Sequence, residues 1–449
     1  MSDLISSTQR KVVVGLGATG LSVARYLARR GEDFCVFDTR DAPPCREQLL
    51  AEIPGVGLLT GAVPQEVLNT AGELIVSPGI NPAEPWLQEA VAAGASLRGD
   101  IDLFMAEARA PVVGITGSNA KSTVTDLVGA MAVEAGLRVG VGGNLGTPAL
   151  DLLDEGAELY VLELSSFQLE RAGELGLAVA TVLNVTPDHL DRHGSMPRYH
   201  QAKHRIFAGC SSVIYHADDP LTIPPIAGGR RQISWRLREP ELDGFGLREE
   251  GGETYLARGF DCLMPVSELP LPGRHNLANA LAALAIGHAA GLPIDAMLRA
   301  LHAYGGLPHR CELVAERDGV EWVNDSKATN VAATVAAVEG LGRSRRLLLI
   351  AGGRDKAGDY RALRGPVQEF CDVVLLIGES APLLAEALAG AAPIEAPGVL
   401  AAAVRRAAEL ARPGHTVLLS PACASFDQFA SYAARGDAFR SEVREVLAA

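Results

Sequence analysis

Aromatic residues are scarce in this chain of 449 residues, at 5 per cent, and its 40 lysines and arginines are outnumbered by 54 acidic residues. The resulting net charge of −14 repels DNA and anionic membranes. The few aromatic side chains also offer little surface on which single-stranded bases could stack. We therefore expect neither nucleic acid nor membrane as a partner, and any phosphate group must be bound by local loops.

Long apolar runs and paired cysteines are missing as well. No run approaches the ~18 apolar residues that span a bilayer. The beginning of the chain, MSDLISSTQRKVVV, has no basic region followed by an apolar one, so we expect no signal peptide. The 7 cysteines are scattered and form no C-x-x-C pair, which favours thiols in a reducing cytoplasm over disulfides or a zinc site.

Strand and helix patterns alternate along most of the chain, and 48 glycines suit tight loops between them. This alternation predicts an α/β protein with largely parallel sheets flanked by helices. A typical domain of roughly 150 residues predicts three domains, which we place at 1–98, 99–306 and 307–449. Short strand-like pieces within 222–272 predict a small antiparallel appendage.

A glycine loop follows the strand-like run VVGIT and precedes an apolar helical pattern. This setting is typical of a phosphate-binding loop, in which backbone N–H groups and the helix N-terminus hold phosphate, a lysine neutralises it and a serine binds Mg²⁺. The pattern GxxxxGK[ST] fails where Ile115 and Ala120 replace glycines, so a polar turn with a solvated lysine is the alternative. The loop consists of Gly117, Ser118, Asn119, Ala120, Lys121, Ser122 and Thr123.

Two polar residues follow other apolar runs of the same region. Glu163 ends LYVLE, and His189 lies in the loop NVTPDHLDRHG. Side chains at the carboxyl ends of parallel strands can reach a metal beside a phosphate loop. Each residue alone is more typical of an ordinary strand-end acid or loop histidine.

Lys203 lies in RYHQAKHRIF, where helical spacing puts it on one side with Tyr199, Ile206 and Phe207. A partly apolar face lowers the basicity of an ammonium group. A neutral lysine can react with CO₂ to give a carbamate, which is an anion that binds metal. A lysine whose stem is covered while its charge reaches water is the alternative.

A second glycine loop, GLGATG at 15–20, also follows a strand pattern and opens a helix, and Asp38 ends the next strand pattern. Alone this is a fair dinucleotide-binding pattern, and Arg40 could indicate a 2′-phosphate. A glycine turn needed only for close packing of strand and helix is the alternative. The glycines predict an anion-binding helix N-terminus without naming the nucleotide.

These loops resemble those of the Mur ligase family. TGSNAKST is similar to its ATP loop, and ELSSFQLE, NVTPDHLDRHG and QAKHRIF are similar to its metal-binding segments. LPGRHNLANALAA, GLPHRCE, NDSKATN and LLSPACASFDQF continue the match in order, and GLGATG, DTR and SPGI extend it towards the beginning. NDSKATN with SPACAS is similar to the D-glutamate-adding members. The DNPR segment of the diaminopimelate-adding enzymes and the DGAHNP-like segment of folylpolyglutamate synthases are missing.

The resemblance implies Rossmann-like first and third domains and a central domain like that of P-loop ATPases. It implies a ligase that uses ATP to join D-glutamate to UDP-N-acetylmuramoyl-L-alanine through an acyl phosphate, in cytoplasmic peptidoglycan precursor synthesis. It also implies two Mg²⁺ ions organised by Ser122, Glu163, His189 and a carbamylated Lys203. A monomer is expected.

The resemblance assigns the other candidate residues to three sites, although for most of them a cap, a turn or a solvated side chain is the alternative. The nucleotide of ATP would be held by Asn276, Asn279, His309, Arg310 and Asp325. D-Glutamate would be bound by Lys327, Thr329, Lys356, Ser425, Phe426 and Tyr432. The UDP-sugar would be bound by Thr19, Asp38, Thr39, Arg40, Ser77, Gly79, Asn144 and His189.

Two other classes of protein stay open. An NAD(P)-dependent oxidoreductase would use GLGATG and Asp38, but it leaves the Lys121 loop, Glu163 and Lys203 without a role. A P-loop ATPase without ligase activity would keep TGSNAKST but needs no amino-acid site.

Overall fold

The computed structural model describes residues 10–144, 146–224, 228–270, 273–355 and 358–448. The chain divides into two compact units: one comprises Met1–Glu268 and Asn279–His302, the other Leu269–Ala278 and Ala303–Ala449. Both are built on largely parallel sheets with helices between the strands, as the sequence predicts. The boundaries of three separate domains stay a prediction.

The first sheet is parallel throughout. Its strands are β1 (Lys11–Val14), β2 (Phe34–Asp38), β3 (Gly57–Thr60), β4 (Glu73–Val76) and β5 (Ser96–Arg98), connected by α1 (Ala18–Arg29), α2 (Arg46–Glu52), α3 (Gln65–Asn69) and α4 (Pro85–Ala92). The order is β3-β2-β1-β4-β5. Because the order reverses between β1 and β4, the loops after these two strands flank a crevice, the usual ligand position in such sheets.

The second sheet belongs to the same unit and contains the phosphate loop. Its strands are β6 (Val112–Thr116), β7 (Val139–Gly143), β8 (Leu159–Glu163), β9 (Val179–Val182), β10 (Ser212–His216), β11 (Arg231–Trp235), β12 (Phe245–Glu250), β13 (Glu253–Arg258) and β14 (Asp261–Pro265). The order is β14-β13-β12-β11-β10-β9-β6-β8-β7. Since β6 lies between β8 and β9, the loops that follow these three strands meet at one edge.

Helices surround these strands and follow them along the chain. They are α5 (Asp100–Glu107), α6 (Lys121–Glu134), α7 (Ser166–Leu169), α8 (Leu190–His193), α9 (Met196–His204), α10 (Arg274–Ala289) and α11 (Ile294–Ala303). Apolar side chains of β6, β8 and β9 are buried together with those of α5 and α9 in one core.

The predicted antiparallel appendage is only partly right. Strands β12, β13 and β14 do pair antiparallel. The prediction that β11 also belongs to the antiparallel appendage is wrong. Strand β11 pairs parallel with β10, from Ser212–Arg231 to His216–Trp235, and so extends the main sheet. The pieces therefore continue the central sheet at its edge.

The third sheet lies in the smaller unit. Its strands are β15 (Glu312–Arg317), β16 (Val320–Asn324), β17 (Arg346–Gly352), β18 (Cys371–Ile377), β19 (Ile394–Gly398) and β20 (His415–Leu419), with helices α12 (Val331–Gly342), α13 (Arg364–Phe370), α14 (Ala381–Ala387), α15 (Leu400–Leu410) and α16 (Tyr432–Ala448). The order is β15-β16-β20-β17-β18-β19, and only the pair β15–β16 is antiparallel within the described ranges. Successive residues of β17 face opposite sides of the sheet. Leu347 and Leu349 are buried in one hydrophobic core, and Leu348 and Ile350 are buried in the other.

In the part of the chain that the structure describes, no helix has the length and apolar character needed to cross a membrane.

Candidate active site

The phosphate loop joins β6 to the N-terminus of α6. Ala120 precedes the first helical residue and has φ of 65°, in the left-handed region that favours glycine. The ammonium of Lys121 donates hydrogen bonds to the carbonyl oxygens of Gly117 (2.9 Å) and Ser118 (3.0 Å). The helix N-terminus and this cation together form a site suited to phosphate.

The loop after β9 holds the phosphate loop in place. The Ser118 hydroxyl donates to the carbonyl of Thr186 and accepts from its N–H, each at 2.9 Å. The amide side chain of Asn184 accepts from the N–H of Asn119 (2.8 Å) and donates to its carbonyl (3.1 Å). Because these bonds fix both sides of the loop, its backbone N–H groups are organised before a ligand binds.

Lys203 is only 1% exposed, and its ammonium group donates to the carbonyl oxygen of Gly117 at 2.7 Å. It lies 4.6 Å from the centre of the Tyr199 ring, on the apolar face that the sequence predicts. Burial lowers the pKa of Lys203 well below its usual value, and the charge of Lys121 lowers it further, against the opposing effects of Asp188 and Glu163. Lys203 therefore gives up its proton more readily than an exposed lysine does.

Glu163 ends β8 and is buried. Its Oε1 accepts a hydrogen bond from the side-chain amide of Asn144 at 2.5 Å, whereas its buried Oε2 has no hydrogen-bond partner among the described residues. A buried carboxylate oxygen without a partner is costly, and a cation would satisfy it. This hydrogen bond brings Glu163, a predicted metal ligand, into contact with Asn144, a predicted substrate-binding residue.

His189 precedes α8 with φ of 52°, and its ring contacts that of Phe167 with centres 4.9 Å apart. Its Nε2 lies 3.7 Å from a carboxylate oxygen of Asp188. Within the described ranges, no three His, Cys, Asp or Glu side chains come together as a metal site requires. Any metal would need ligands of another kind in addition to Glu163 and His189.

The N-terminal glycine loop is shaped by close packing. A Cβ on Gly20 would lie 1.8 Å from the carbonyl oxygen of Gly15, so glycine is required there for α1 to begin beside β1. Ser77, after β4, donates from its hydroxyl to the same Gly15 carbonyl at 2.9 Å. The two loops that flank the crevice are thus joined. Thr19 lies in the first turn of α1, and Gly79 borders open space.

Asp38 is buried below this crevice and accepts hydrogen bonds at both oxygens. Oδ2 accepts from the N–H of Leu16 (2.6 Å), and Arg40 donates to both oxygens from its side chain (2.7 and 2.8 Å). Burial would raise the pKa of Asp38, but these bonds outweigh it and lower the pKa. The charged form of Asp38 is therefore favoured, and it holds Arg40 and the backbone of Leu16 at the crevice. The neighbouring Thr39 is exposed.

In the smaller unit, the loop after β16 meets the segment before β15. The Asp325 carboxyl accepts from the hydroxyl of Ser420 (2.8 Å) and from the N–H of Cys311 (3.2 Å). Burial raises the pKa of Asp325 to about 7, and the Ser420 and Cys311 hydrogen bonds and the charge of Arg310 only partly oppose it. The N–H of Lys327 donates to the carbonyl of His309 at 3.1 Å, which ties the two segments together.

Of the predicted D-glutamate residues that the structure describes, Lys327 contacts Tyr432, the first residue of α16. The ammonium of Lys327 lies 3.9 Å from the centre of the Tyr432 ring. The N–H of Thr329 donates to the carbonyl of Lys327 at 2.8 Å, Ser425 is buried and Phe426 is 64% exposed. Lys356 falls outside the described residues. Asn276 and Asn279 lie in the first two turns of α10.

Two buried arginines near these loops were not predicted. Arg171 donates to four carbonyl groups, one at the end of β4 and three in the segment that follows it. Arg435 is 1% exposed and donates to the carbonyls of Ser326 (2.8 Å) and Cys423 (3.2 Å), beside the predicted D-glutamate residues. Neither lies in a glycine loop or at a strand end, so only the fold reveals their partners.

Three family profiles match the chain in succession. The profile described as "Mur ligase MurD-like, N-terminal domain" matches residues 9–99, "Mur ligase middle domain" matches 115–287 and "Mur ligase, glutamate ligase domain" matches 309–423.

Relatives with a curated name match over nearly the full length. The UDP-N-acetylmuramoylalanine--D-glutamate ligase of Pseudomonas aeruginosa is 55% identical over 446 residues, which cover 99% of this chain and 100% of the relative. The enzyme of the same name from Hahella chejuensis is 49% identical over 445 residues, covering 98% and 99%.

Solved structures confirm the predicted α/β fold at lower identity. A pseudomurein peptide ligase type C from Methanothermus fervidus is 18% identical with a TM-score of 0.63, covering 98% of this chain and 100% of that one. A UDP-N-acetylmuramate-alanine ligase from Thermotoga maritima is 16% identical with a TM-score of 0.62, covering 97% and 99%. Full-length relatives at 55% identity and three successive profiles confirm the resemblance: this chain belongs to the Mur ligase family.

Proposed function

We propose that this protein is the ligase that adds D-glutamate to UDP-N-acetylmuramoyl-L-alanine, using ATP, in the synthesis of peptidoglycan precursors. The full-length relatives that carry this activity in their names are the first support. The substrate is a charged nucleotide sugar of the cell interior, so we propose a cytoplasmic enzyme. A monomer stays our expectation.

The observation that carries the proposal is the shared carbonyl of Gly117, to which both Lys121 and Lys203 donate. The two lysines lie 82 residues apart along the chain, and the negative charges of Glu163 and Asp188 lie near enough to affect Lys203. A simple phosphate loop needs only the first lysine. A second, buried lysine would help to bind metal cations only as a carbamate, which turns a repelling cation into an anionic ligand.

The residues present fit Mg²⁺. The unpartnered Oε2 of Glu163, the hydroxyl of Ser122 and His189 would hold it, and a carbamate on Lys203 would add an anionic oxygen. When bound, Mg²⁺ spreads the negative charge of the transferring phosphoryl group. A carbamate forms only from the neutral amine, which the lowered pKa of Lys203 favours: the nitrogen lone pair attacks the carbon of CO₂, and one proton leaves to water.

The chemistry needs a good leaving group on the L-alanine carboxylate. That carboxylate attacks the γ-phosphorus of ATP, and ADP leaves, which gives an acyl phosphate. Lys121 stabilises the charge of the phosphates during this step. The D-glutamate amine then attacks the acyl carbon, loses a proton and expels phosphate, leaving an amide. Water must be excluded, because it would hydrolyse the acyl phosphate.

D-Glutamate suits the predicted amino-acid site, where the cation of Lys327 and the hydroxyls of Thr329 and Ser425 would meet a dicarboxylate. The site for the nucleotide sugar would be the crevice of the first sheet. An NAD(P) oxidoreductase would use Asp38 to accept from ribose hydroxyls, but both of its oxygens already accept from Leu16 and Arg40.

The test is release of phosphate from ATP and Mg²⁺ with the nucleotide sugar and each amino acid in turn. We expect phosphate and new amide in equal amounts only when UDP-N-acetylmuramoyl-L-alanine and D-glutamate are both present. Equal turnover with L-glutamate or L-lysine would contradict the assignment, and hydrolysis of ATP without either partner would favour a simple ATPase. Lys121→Met should abolish the reaction, whereas Arg138→Met, at a side chain 72% exposed, is the matched control.

A further inference from the structure

Arg171 follows α7 in the second sheet's half of the larger unit and reaches the loop after β4 of the first sheet. One guanidinium nitrogen donates to the carbonyl oxygens of Val76 and Ser77, both at 2.7 Å. The other donates to the carbonyls of Pro78 (3.3 Å) and Ile80 (2.7 Å). One planar side chain therefore fixes the path of a whole loop, which is a geometry that a point-like ammonium cannot reproduce.

This guanidinium is expensive to bury. Arg171 is 9% exposed, and among the described residues no carboxylate forms an ion pair with it. Burial lowers the pKa of Arg171 to about 10, and the nearby charge of Arg192 adds to this, yet the side chain stays charged at neutral pH. The carboxylates of Asp100, Glu170 and Asp102 lie near enough to oppose this lowering, but the hydrogen bonds of the guanidinium that reach the first sheet go to backbone carbonyls, which points to a role in holding those carbonyls.

Arg192 supports the same loop from a second direction. Its side chain donates to the carbonyl of Ile80 at 2.9 Å and forms an ion pair with Glu170 at 3.0 Å. Glu170 is the residue directly before Arg171. Two cations from the segment that follows β8 and from α8 therefore converge on one short loop of the first sheet.

The loop in turn supports the glycine loop of the first sheet. The hydroxyl of Ser77 donates to the carbonyl of Gly15 at 2.9 Å, and a Cβ on Gly15 would lie 2.9 Å from that of Ser77. A displacement of residues 77–80 would therefore move or release the glycine loop. Both loops border the crevice in which the proposed function puts the nucleotide sugar.

We propose that Arg171 is a positioning residue for the nucleotide sugar: it holds the loop of residues 77–80 against the glycine loop and so presets the crevice. The inference rests on the proposed function. It links the segment that carries Glu163 and Arg171 to the site of the UDP group, so the two halves of the larger unit are connected through this side chain. The role predicts a selective loss of affinity for one of three substrates.

The test compares Arg171→Lys and Arg171→Gln with Arg205→Lys. Arg205 also donates to carbonyls, those of Leu169 and Ala172, but these do not belong to the loop after β4. For both Arg171 variants we expect the KM for UDP-N-acetylmuramoyl-L-alanine to rise at least about tenfold. The KM values for ATP and D-glutamate and the kcat at saturation should stay within about twofold, and Arg205→Lys should change none of the three KM values selectively.

Calorimetric binding of UDP-N-acetylmuramoyl-L-alanine without ATP separates this inference from the proposed function. The dissociation constant should rise by the same factor as KM in the Arg171 variants. If the wild-type protein binds the nucleotide sugar but the folded Arg171 variants bind it equally well, or if all three KM values rise together, the positioning role is wrong. If the wild-type protein does not bind the nucleotide sugar, the proposed function itself is wrong. Arg171→Gln keeps two N–H donors but removes the positive charge, and it can be used for the test if Arg171→Lys does not fold.

Discussion

Asp38 and Asp325 occupy comparable places in two different sheets, Asp38 at the end of β2 and Asp325 directly after β16. Both are buried, and both are predicted to contact a nucleotide. Burial would raise the pKa of each carboxyl group. Direct hydrogen bonds from Arg40 outweigh burial at Asp38 and lower its pKa, whereas a hydroxyl and one N–H do not outweigh it at Asp325, whose pKa rises to about 7. The immediate partners decide whether a buried carboxyl keeps its charge.

Lys203 extends the comparison to a cation. Its pKa is lowered, as is that of Asp38, but a lowered pKa preserves the charge of an acid and removes that of a base. The ammonium of Lys203 donates to a neutral group, the carbonyl of Gly117. The molecule therefore has a buried carboxyl group at the end of β2, where hydrogen bonds favour the charged form, and a buried amine beside the phosphate loop, where burial disfavours the charged form.

The largest effect is expected for Lys203→Ala. If the buried amine serves as a carbamate, its loss should reduce ligase activity on the order of 1,000-fold, since a positioned charged group at a phosphoryl-transfer site is lost. Added acetate or formate should partly restore activity by entering the space with a carboxylate. The measurement is phosphate release with and without the added acid.

Lys203→Arg separates the carbamate from a simple cation. A guanidinium cannot form a carbamate and stays charged, so this variant should be as inactive as Lys203→Ala. Lys121 is not a suitable control because it belongs to the phosphate loop, but Arg198→Lys on the same helix is, and it should keep its activity. Full activity in Lys203→Arg would refute the carbamate.

The second effect concerns stability and pH at Asp325. Its folded-state pKa of about 7 lies above the ordinary value of 3.8, so the folded protein binds more protons than the unfolded chain between about pH 4 and 7. Stability should therefore fall as pH rises through this window, by about 4 kcal/mol in all, of which about 3 kcal/mol falls between pH 5 and pH 8. Urea unfolding at pH 5 and pH 8 should show this loss in the wild type and not in Asp325→Asn.

The matched control is Asp318→Asn in the same unit, at a side chain 89% exposed. It should follow the wild-type pH dependence. An identical pH dependence in Asp325→Asn and the wild type would mean that burial does not control this carboxyl group.

Asp38 should show the opposite sign and a smaller effect. Its lowered pKa contributes stability that is present above the unfolded pKa of about 4 and is lost as pH falls below it. Asp38→Asn should cost about 2 kcal/mol of unfolding free energy at pH 7, because one hydrogen-bond acceptor becomes a donor facing other donors. The deficit should shrink towards pH 3, and the exposed Asp41→Asn should show none. A deficit that grows as the pH falls would contradict this.

The sequence predicts the parts that depend on local patterns. Apolar runs that end in polar loops gave β6, β8 and β16, and helical spacing put Lys203 on the apolar face with Tyr199 that the structure has. The edge strands β7, β15 and β19 were not predicted, because β7 is mostly glycine and the other two mix polar and apolar residues without a clear period. The site assignments themselves stay predictions.

Contacts between distant segments could not be predicted. The hydrogen bond from Lys203 to Gly117 joins residues 86 apart, and those of Arg171 reach back more than 90. No spacing rule connects such positions. The sign of φ at Ala120 could not be predicted either, because an alanine can adopt a positive or a negative φ. Only the structure shows that φ is positive there, and so whether glycine at this position should raise or lower stability.

The smallest effect is expected at that position. Ala120 has φ of 65°, where a Cβ costs about 1 kcal/mol, so Ala120→Gly should raise the free energy of unfolding by up to about 1 kcal/mol. Ala130→Gly, in the middle of the same helix α6, is the matched control and should lower it by about 1 kcal/mol. Urea unfolding measures both, and ATP binding should be unchanged in Ala120→Gly because the loop keeps its backbone path. Destabilisation by both glycines would show that the left-handed conformation at Ala120 carries no strain, and loss of ATP binding would give the alanine methyl group a role in the phosphate loop.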